Sequence, residues 1–408
     1  MKGCDCPDEP LMRIEDALEQ MLARLPPLPS SETVQLAGAA GRVLADTLYS
    51  PVDVPAWDNS AMDGYALRAA DWRAGIPLPL AGRVAAGEVA GALPPEHAVR
   101  IFTGAPLPAG ADTVIAQEDC RVTDGQLWVE SVGTGSHVRR RGEEMREGDL
   151  LLCAGTRLRP VDIGLLASRG IACVPVYKRL RVALVSSGDE LREPGETLGP
   201  GQIHNANQPL LQALLTGWGC AIVSAEKLPD QAETTRIRLA ELAGQADLVI
   251  TSGGVSVGEE DHIKHAVREL GRLHLWRLAI QPGKPLAFGE VGGTPWIGLP
   301  GNPVAALITA LMVARPWVWA AMGRTQKMPQ PIVLPAGFDW HRPRPRRQFL
   351  RASLTGGAEG SVVMLHAQQG SAMLAAASWA DGLVDIDPHG TFDAGAPVRF
   401  WPLSDLMH

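Results

Sequence analysis

Asp247–His262 reads DLVITSGGVSVGEEDH, and this stretch decides the fold. Leu248–Thr251 is a short run without polar alternation, the pattern of a strand buried on both faces. It delivers into Ser252, Gly253 and Gly254, then Ser256 and Gly258, then the acids Glu259, Glu260 and Asp261. In open α/β sheets, ligands bind beyond the carboxyl ends of the strands, where glycines let backbone N–H groups approach an anion. Leu180–Val185 repeats the arrangement and runs into Ser186, Ser187, Gly188, Asp189 and Glu190. A third copy, IGLPGNPVAAL at 297–307, turns at Pro300, Gly301, Asn302 and Pro303. Each turn is expected to lead into a helix whose N-terminus adds partial positive charge. Helical spacing follows at Leu210, Leu211, Leu214 and Leu215, over Ile237–Leu242, and at Ile263, Val267 and Leu270. Alternating strand and helix predicts a doubly wound α/β domain over residues 179–326.

Outward from this domain the texture changes. Residues 11–25 carry an amphipathic helical pattern that Pro26 and Pro27 stop, and Ala37–Tyr49 reads as a second helix. From 53 to 145, short β-type runs (Val99–Thr103, Thr113–Gln117, Leu127–Val132) alternate with Gly and Pro turns, as in a small inserted β-rich domain. A strand, helix and strand over 150–178 complete the interrupted unit, so 1–52 and 146–178 form one N-terminal linking domain. Residues 327–408 contain strand-like pieces at Pro331–Leu334, Phe349–Leu354, Val362–Leu365, Leu383–Ile386 and Pro397–Trp401, predicting a C-terminal small β-barrel.

With 408 residues, 46% of them apolar and 20% charged, the chain has the composition of a globular, multi-domain protein. A net charge of −8 argues against a general nucleic-acid binder. No run matches the roughly 18 consecutive apolar residues of a membrane span, and the N-terminus lacks a secretory core, so a cytoplasmic protein is expected. Cys4 and Cys6 are read as part of a tail, and Cys120, Cys153, Cys173 and Cys220 as reduced core or strand residues. The basic tract HRPRPRR at 341–347 is read as a solvated loop.

Acids beside anion-binding turns set up a contradiction. Asp189, Glu190, Glu259, Glu260 and Asp261 would repel a phosphate unless a divalent cation lies between them. Oxygen-only ligation points to Mg²⁺. The alternative is that Asp189 and Asp261 cap helices. Lys284, in QPGKP, offers a cation to the same anion. In the N-terminal half, Asp58, Asn59, Ser60 and Asp63 gather in DNSAMDGYAL, Thr103 lies in FTGAPLPAGAD, and Arg139, Arg140 and Arg141 precede Gly142. A site that used both halves would sit between domains or between two chains.

Seven collinear motifs now carry a resemblance: DNSAMDGYA (58–66), TGAPLPAGAD (103–112), RRRGE (139–143), SSGDEL (186–191), TSGGVSVGEEDH (251–262), PGKP (282–285) and GLPGNPVAA (298–306). Over nearly its whole length the chain resembles the MoeA family of molybdopterin molybdenumtransferases, which includes the gephyrin E domain. The resemblance implies molybdenum insertion from molybdate into adenylylated molybdopterin, with Mg²⁺-dependent release of AMP. It implies catalytic roles for Asp63, Thr103, Glu190, Asp230 and Asp261, with Glu190, Asp261 and Asp63 near the metal. It implies substrate contacts from Arg139, Ser187, Gly188, Asp189, Ser252, Gly253, Gly254, Ser256, Lys284, Pro300, Gly301, Asn302 and Pro303. A homodimer with a shared cleft is implied too, with transient contacts to molybdopterin adenylyltransferase and recipient molybdoenzymes. Two positions depart from the family pattern: Glu144, where Asp is common, and Gln281, where Lys is common.

Two other functions fit parts of the chain. A molybdopterin adenylyltransferase needs only a domain like 179–325 and typically reads GGTG in the second loop. A non-catalytic scaffold of the same fold would tolerate loss of the acids at 190 and 261.

Overall fold

The computed structural model describes residues 11–89, 91–254, 262–326, 328–357 and 360–407. These divide into two compact units, one of 11–45, 155–159 and 174–407, the other of 46–154 and 160–173.

In the first unit a six-stranded sheet runs in the order Ala221–Leu228, Arg181–Ser187, Leu248–Ser252, Thr294–Leu299, Ala287–Val291, Gly271–Trp276. The first four strands pair in parallel and the last two antiparallel. Side chains along a strand alternate between faces, which assigns each residue to one of two cores. Val182, Leu184, Leu248, Ile250, Ile297 and Leu299 join the core that holds Leu211, Leu214 and Leu215 of the helix Asn207–Gly217. Ala183, Val185, Val249 and Trp296 join the core that holds Leu239 and Leu242 of the helix Ala232–Gln245, and Ile263 and Val267 of the helix His262–Leu270. With both faces covered, the central strands Arg181–Ser187 and Leu248–Ser252 carry unbroken apolar runs, whereas the edge strand Ala221–Leu228 does not.

A continuous helical stretch, Pro303–Ala321, is long and apolar enough by length and composition to cross a membrane, though Thr309 and Arg315 interrupt its apolar run, and it is buried throughout. Pro303 sits in its first turn, where a missing N–H costs nothing. A π-helical turn, Ala310–Ala314, precedes Pro316, whose ring would crowd the carbonyl one turn back in a regular helix.

The C-terminal sheet runs Ile280–Gln281, Arg347–Gly357, Gly382–Ile386, Pro397–Pro402, Ile332–Pro335, with Gly360–Leu365 also paired to Arg347–Gly357. Its core is Leu350, Ala352, Val363, Val384, Ile386, Val398 and Phe400. Ile280 pairs in parallel with Arg347, which carries the start of the QPGKP turn onto this sheet.

The second unit holds a six-stranded sheet ordered Thr113–Ala116, Gly64–Leu67, Ala98–Ile101, Leu78–Val84, Gln126–Val129, Cys120–Thr123. Gly64 admits the neighbouring strand so closely that a Cβ there would lie 1.9 Å from the Ile115 carbonyl oxygen.

Two expectations are corrected. Ala37–Tyr49 is not a helix: a 3-10 turn at Leu36–Gly38 leads through Gly41 (φ 76°) to bridges Val43–Arg157 and Leu44–Val176, then the strand Leu48–Tyr49. Cys153 is exposed and lies outside any strand, so it is not a core residue.

Candidate functional site

The parallel pairing of Arg181–Ser187, Leu248–Ser252 and Thr294–Leu299 puts three glycine-bearing turns at one sheet edge. Ser187, Gly188, Glu190, Ser252, Gly253, Gly254, Pro300, Gly301, Asn302 and Pro303 line one cavity of about 970 Å³. Lys284 and Asp230 line it as well.

Hydrogen bonds knit the turns together. Ser187 Oγ donates to Asp230 Oδ1 at 2.6 Å. The Asp189 N–H donates to Asp230 Oδ2 at 3.3 Å, and the Asp230 N–H returns a bond to Asp189 Oδ1 at 3.2 Å. Asp189 thus supports the cavity through Asp230 and is not itself among the lining residues. It caps no helix, because Gly188–Asp189 enters a turn and then the short strand Leu191–Arg192. The first turn therefore lacks the helix expected to follow it; the helix Asn207–Gly217 reaches the cavity instead. Asn207 Nδ2 donates to Ser252 Oγ at 2.8 Å and to the Gly301 carbonyl at 2.7 Å, bridging the second and third turns. Ser256 and Asp261, with Gly258, Glu259 and Glu260, lie outside the described residues.

Backbone curvature explains the glycines. Gly188 and Gly253 both have positive φ, 148° and 90°, and a Cβ at Gly253 would lie 2.8 Å from the Ser187 carbonyl oxygen. The donors around the cavity are oxygen-rich: Glu190, Asp230 and Ser187. Two carboxylates and a hydroxyl suit Mg²⁺, which keeps several waters and commonly takes only one or two carboxylates plus substrate phosphates. Among the described residues, the three-residue group with ligand atoms all within 4.8 Å of one another is Asp339, His341 and Asp393, exposed on the C-terminal sheet's rim.

Sequence reasoning missed part of this wall. Arg346, in the tract read as a solvated loop, lines the cavity, and its Nη2 lies 3.4 Å from Gln281 Oε1. Gln348 Nε2 donates to the same Gln281 oxygen at 3.2 Å. The neutral Gln281 thus stands beside an arginine from another part of the chain. Gln369, Gly370, Ser371 and Ala372 also line the cavity, as do His204, Asn205 and Asn207. The polar run IHNAN before a helix was a usable signal; the 369–372 turn offered none.

In the second unit, Asp63 Oδ1 accepts the Thr103 N–H and the Thr103 hydroxyl, each at 2.8 Å. The backbone bond, then the hydroxyl bond, hold the Asp63 carboxyl below its ordinary range, with Arg100 adding to the effect. Arg139 pairs with Asn59 across an antiparallel ladder, bringing the RRRGE and DNSAMDGYA motifs together. Asp58 accepts the Arg141 N–H at 2.8 Å and Arg140 Nη1 at 2.6 Å, and its pKa is lowered, first by the Arg141 backbone bond. Glu144 pairs with the buried Arg169 at 2.7 Å.

Comparison with known proteins covers most of the chain. Family models described as MoeA N-terminal region (domain I and II), probable molybdopterin binding domain, and MoeA C-terminal region (domain IV) match residues 12–170, 183–319 and 333–403. The molybdopterin molybdenumtransferase of Haemophilus influenzae is 37% identical over 403 residues, covering 97% of this chain and 100% of its own. Molybdopterin molybdenumtransferase 2 of Mycobacterium tuberculosis is 37% identical, covering 91% and 95%. A crystal structure of the molybdopterin biosynthesis MoeA protein from Pyrococcus horikoshii superposes with a TM-score of 0.79 at 32% identity, covering 96% of this chain and 99% of that one.

Proposed function

The chain belongs to the MoeA family of molybdopterin molybdenumtransferases, and we propose that it inserts molybdenum from molybdate into adenylylated molybdopterin with release of AMP. The observation that carries this reading is the single cavity in which three strand-end turns, the carboxylates of Glu190 and Asp230, and the cations of Lys284 and Arg346 meet. Amide-lined turns and two cations suit oxyanions, whereas two carboxylates alone would repel them.

Glu190 and Asp230 would hold Mg²⁺, which when bound supplies charge to offset the phosphoanhydride and its leaving group. Lys284 and Arg346 bind and orient the anionic groups, and their fixed positions avoid reorganisation as charge develops. Ser187 holds the Asp230 carboxylate in one orientation. Asp63, kept ionised by Thr103, is assigned to activity in its own unit, and Arg139 to an oxyanion. A molybdopterin adenylyltransferase would leave Asp63 and Thr103 without a role. On the same reading the chain is a cytoplasmic homodimer, and 1–52 with 146–178, 53–145, 179–326 and 327–408 are its four domains.

The test is direct. Purified protein supplied with Mg²⁺, molybdate and adenylylated molybdopterin should release AMP and yield molybdenum-bearing cofactor. Consumption of ATP with molybdopterin instead, or no AMP release, refutes the reading. Light scattering of the same sample tests the dimer.

A further inference from the structure

Arg351, on the strand Arg347–Gly357, is fully buried. Its Nη2 donates to the carbonyl oxygens of Gly370 at 3.0 Å and Gln368 at 3.4 Å. Its main chain is engaged as well. The Arg351 N–H donates to Gln369 Oε1 at 2.9 Å, and the Arg351 carbonyl accepts Gln369 Nε2 at 2.8 Å and the His366 N–H at 3.1 Å. One residue therefore clamps the 366–370 turn through both its backbone and its side chain. That turn runs directly into Gln369, Gly370, Ser371 and Ala372, which form a wall of the cavity. On its far side the Ser371 carbonyl accepts the Val304 N–H at 3.0 Å, in the first turn of the helix beginning at Pro303.

The guanidinium is costly where it sits. Nε and Nη1 are buried without a hydrogen-bond partner, and no carboxylate among the described residues pairs with it. Burial pushes its pKa down to about 10, which still leaves it charged at neutral pH. An unpaired buried charge with orphaned donors is destabilising, and an apolar side chain of similar volume is often neutral or better in such a place. Packing alone gives no reason for an arginine here. Two carbonyls held from behind, in a wall facing anionic substrates, do give one.

We propose that Arg351 is a positioning residue, a buried cation that holds the Gln369–Ala372 wall in the shape that binds the anionic substrates. The proposal rests on the functional reading above, but its structural half does not. Three full-length proteins test it: wild type, Arg351→Met and Arg351→Lys. Arg351→Met should melt at or above the wild-type temperature. Its amides at Gln369–Ala372 should exchange hydrogen at least tenfold faster. The KM for molybdate or for adenylylated molybdopterin should rise at least tenfold, with kcat within threefold. Arg351→Lys, which keeps the charge, should recover part of the KM. Wild-type exchange across Gln369–Ala372 together with wild-type KM values in Arg351→Met overturns the proposal. If Arg351→Met fails to fold, Arg351→Lys carries the test: it loses the guanidinium's fork of donors, so unchanged exchange and unchanged KM values there are equally fatal. A wild-type protein that releases no AMP defeats the functional reading, and the positioning role is then judged on the exchange data alone.

Discussion

Thr103 gives Asp63 two hydrogen bonds on a single carboxylate oxygen, one from its backbone and one from its hydroxyl, both 2.8 Å long. The pair joins AMDGYA to FTGAP, two motifs 40 residues apart. Both bonds favour the ionised acid, so the Asp63 pKa is lowered from the ordinary 3.8. A depressed carboxyl pKa contributes stability above the unfolded value, and that contribution is lost as pH falls through the folded value. The window therefore lies below about pH 4, outside any working range. Thr103→Val should raise the Asp63 pKa towards its ordinary value without reaching it, because the backbone donor remains. Carboxyl-carbon NMR titration reads the shift. AMP release should fall on the proposed role of Asp63, and a wild-type rate in Asp63→Ala would remove that role.

Gly253→Ala should damage the site more than its size suggests. The residue sits at φ 90°, and its new Cβ would press on the Ser187 carbonyl, a backbone atom that cannot swing away. Strain of this kind costs about 1–3 kcal/mol. Its effect falls on the first and second turns together, since Ser187 also donates to Asp230. We expect AMP release to drop at least tenfold, with thermal melting lowered by a few degrees. Equal activity in Gly253→Ala would mean the turn is not part of the working site.

Removal of Mg²⁺ should stop turnover and leave the fold in place. The cavity is assembled by protein–protein bonds, Asn207 to Ser252 and Gly301 and Asp230 to Asp189, and none of them needs a metal. Chelation with EDTA should abolish AMP release with the melting temperature almost unchanged, and added Mg²⁺ should restore it. Large destabilisation on chelation would show that a metal is structural.

How much of this was legible beforehand depended on where each residue's neighbours come from. Leu180–Val185 and Leu248–Thr251 announced themselves because burial on both faces writes an unbroken apolar run, and each handed its turn residues to the cavity. Ala37–Tyr49 misled because Ala and Leu favour helix locally, while its real partners, Arg157 and Val176, lie more than a hundred residues on. Arg346 was invisible for the same reason. Nothing in HRPRPRR shows that Arg347 pairs with Ile280 and so brings its neighbour to Gln281. The acids of GEEDH, prominent in the sequence, lie outside the described residues; of the three acids expected near a metal, Glu190 lines the cavity beside Asp230, and Asp63 belongs to the second unit.

The arginine beside Arg346 has a separate, structural task. Arg347 meets Asp385 with two bonds, Nε to Oδ1 at 2.7 Å and Nη2 to Oδ2 at 2.6 Å. Arg399 Nε reaches the same Oδ2 at 3.1 Å and Trp401 Nε1 at 3.2 Å, so a carboxylate with no solvent exposure is shared by three neighbours. Arg347 also pairs with Glu15, tying the helix Ile14–Leu22 to the C-terminal sheet. Removing Asp385 takes the shared acceptor from Arg347, Arg399 and Trp401, but Arg347 keeps Glu15 and Arg399 keeps Asp387, so the cost is that of lost buried hydrogen bonds, about 1–3 kcal/mol. Asp385→Ala should therefore lower the unfolding free energy in urea by about that amount, whereas Glu15→Ala, at the exposed end of the same network, should cost at most about 1 kcal/mol. The AMP-release rate per folded molecule should change little in either variant, because neither residue lines the cavity. A loss below about 1 kcal/mol in Asp385→Ala would show that Glu15 and Asp387 suffice for the two arginines and that the buried carboxylate does not hold the C-terminal sheet.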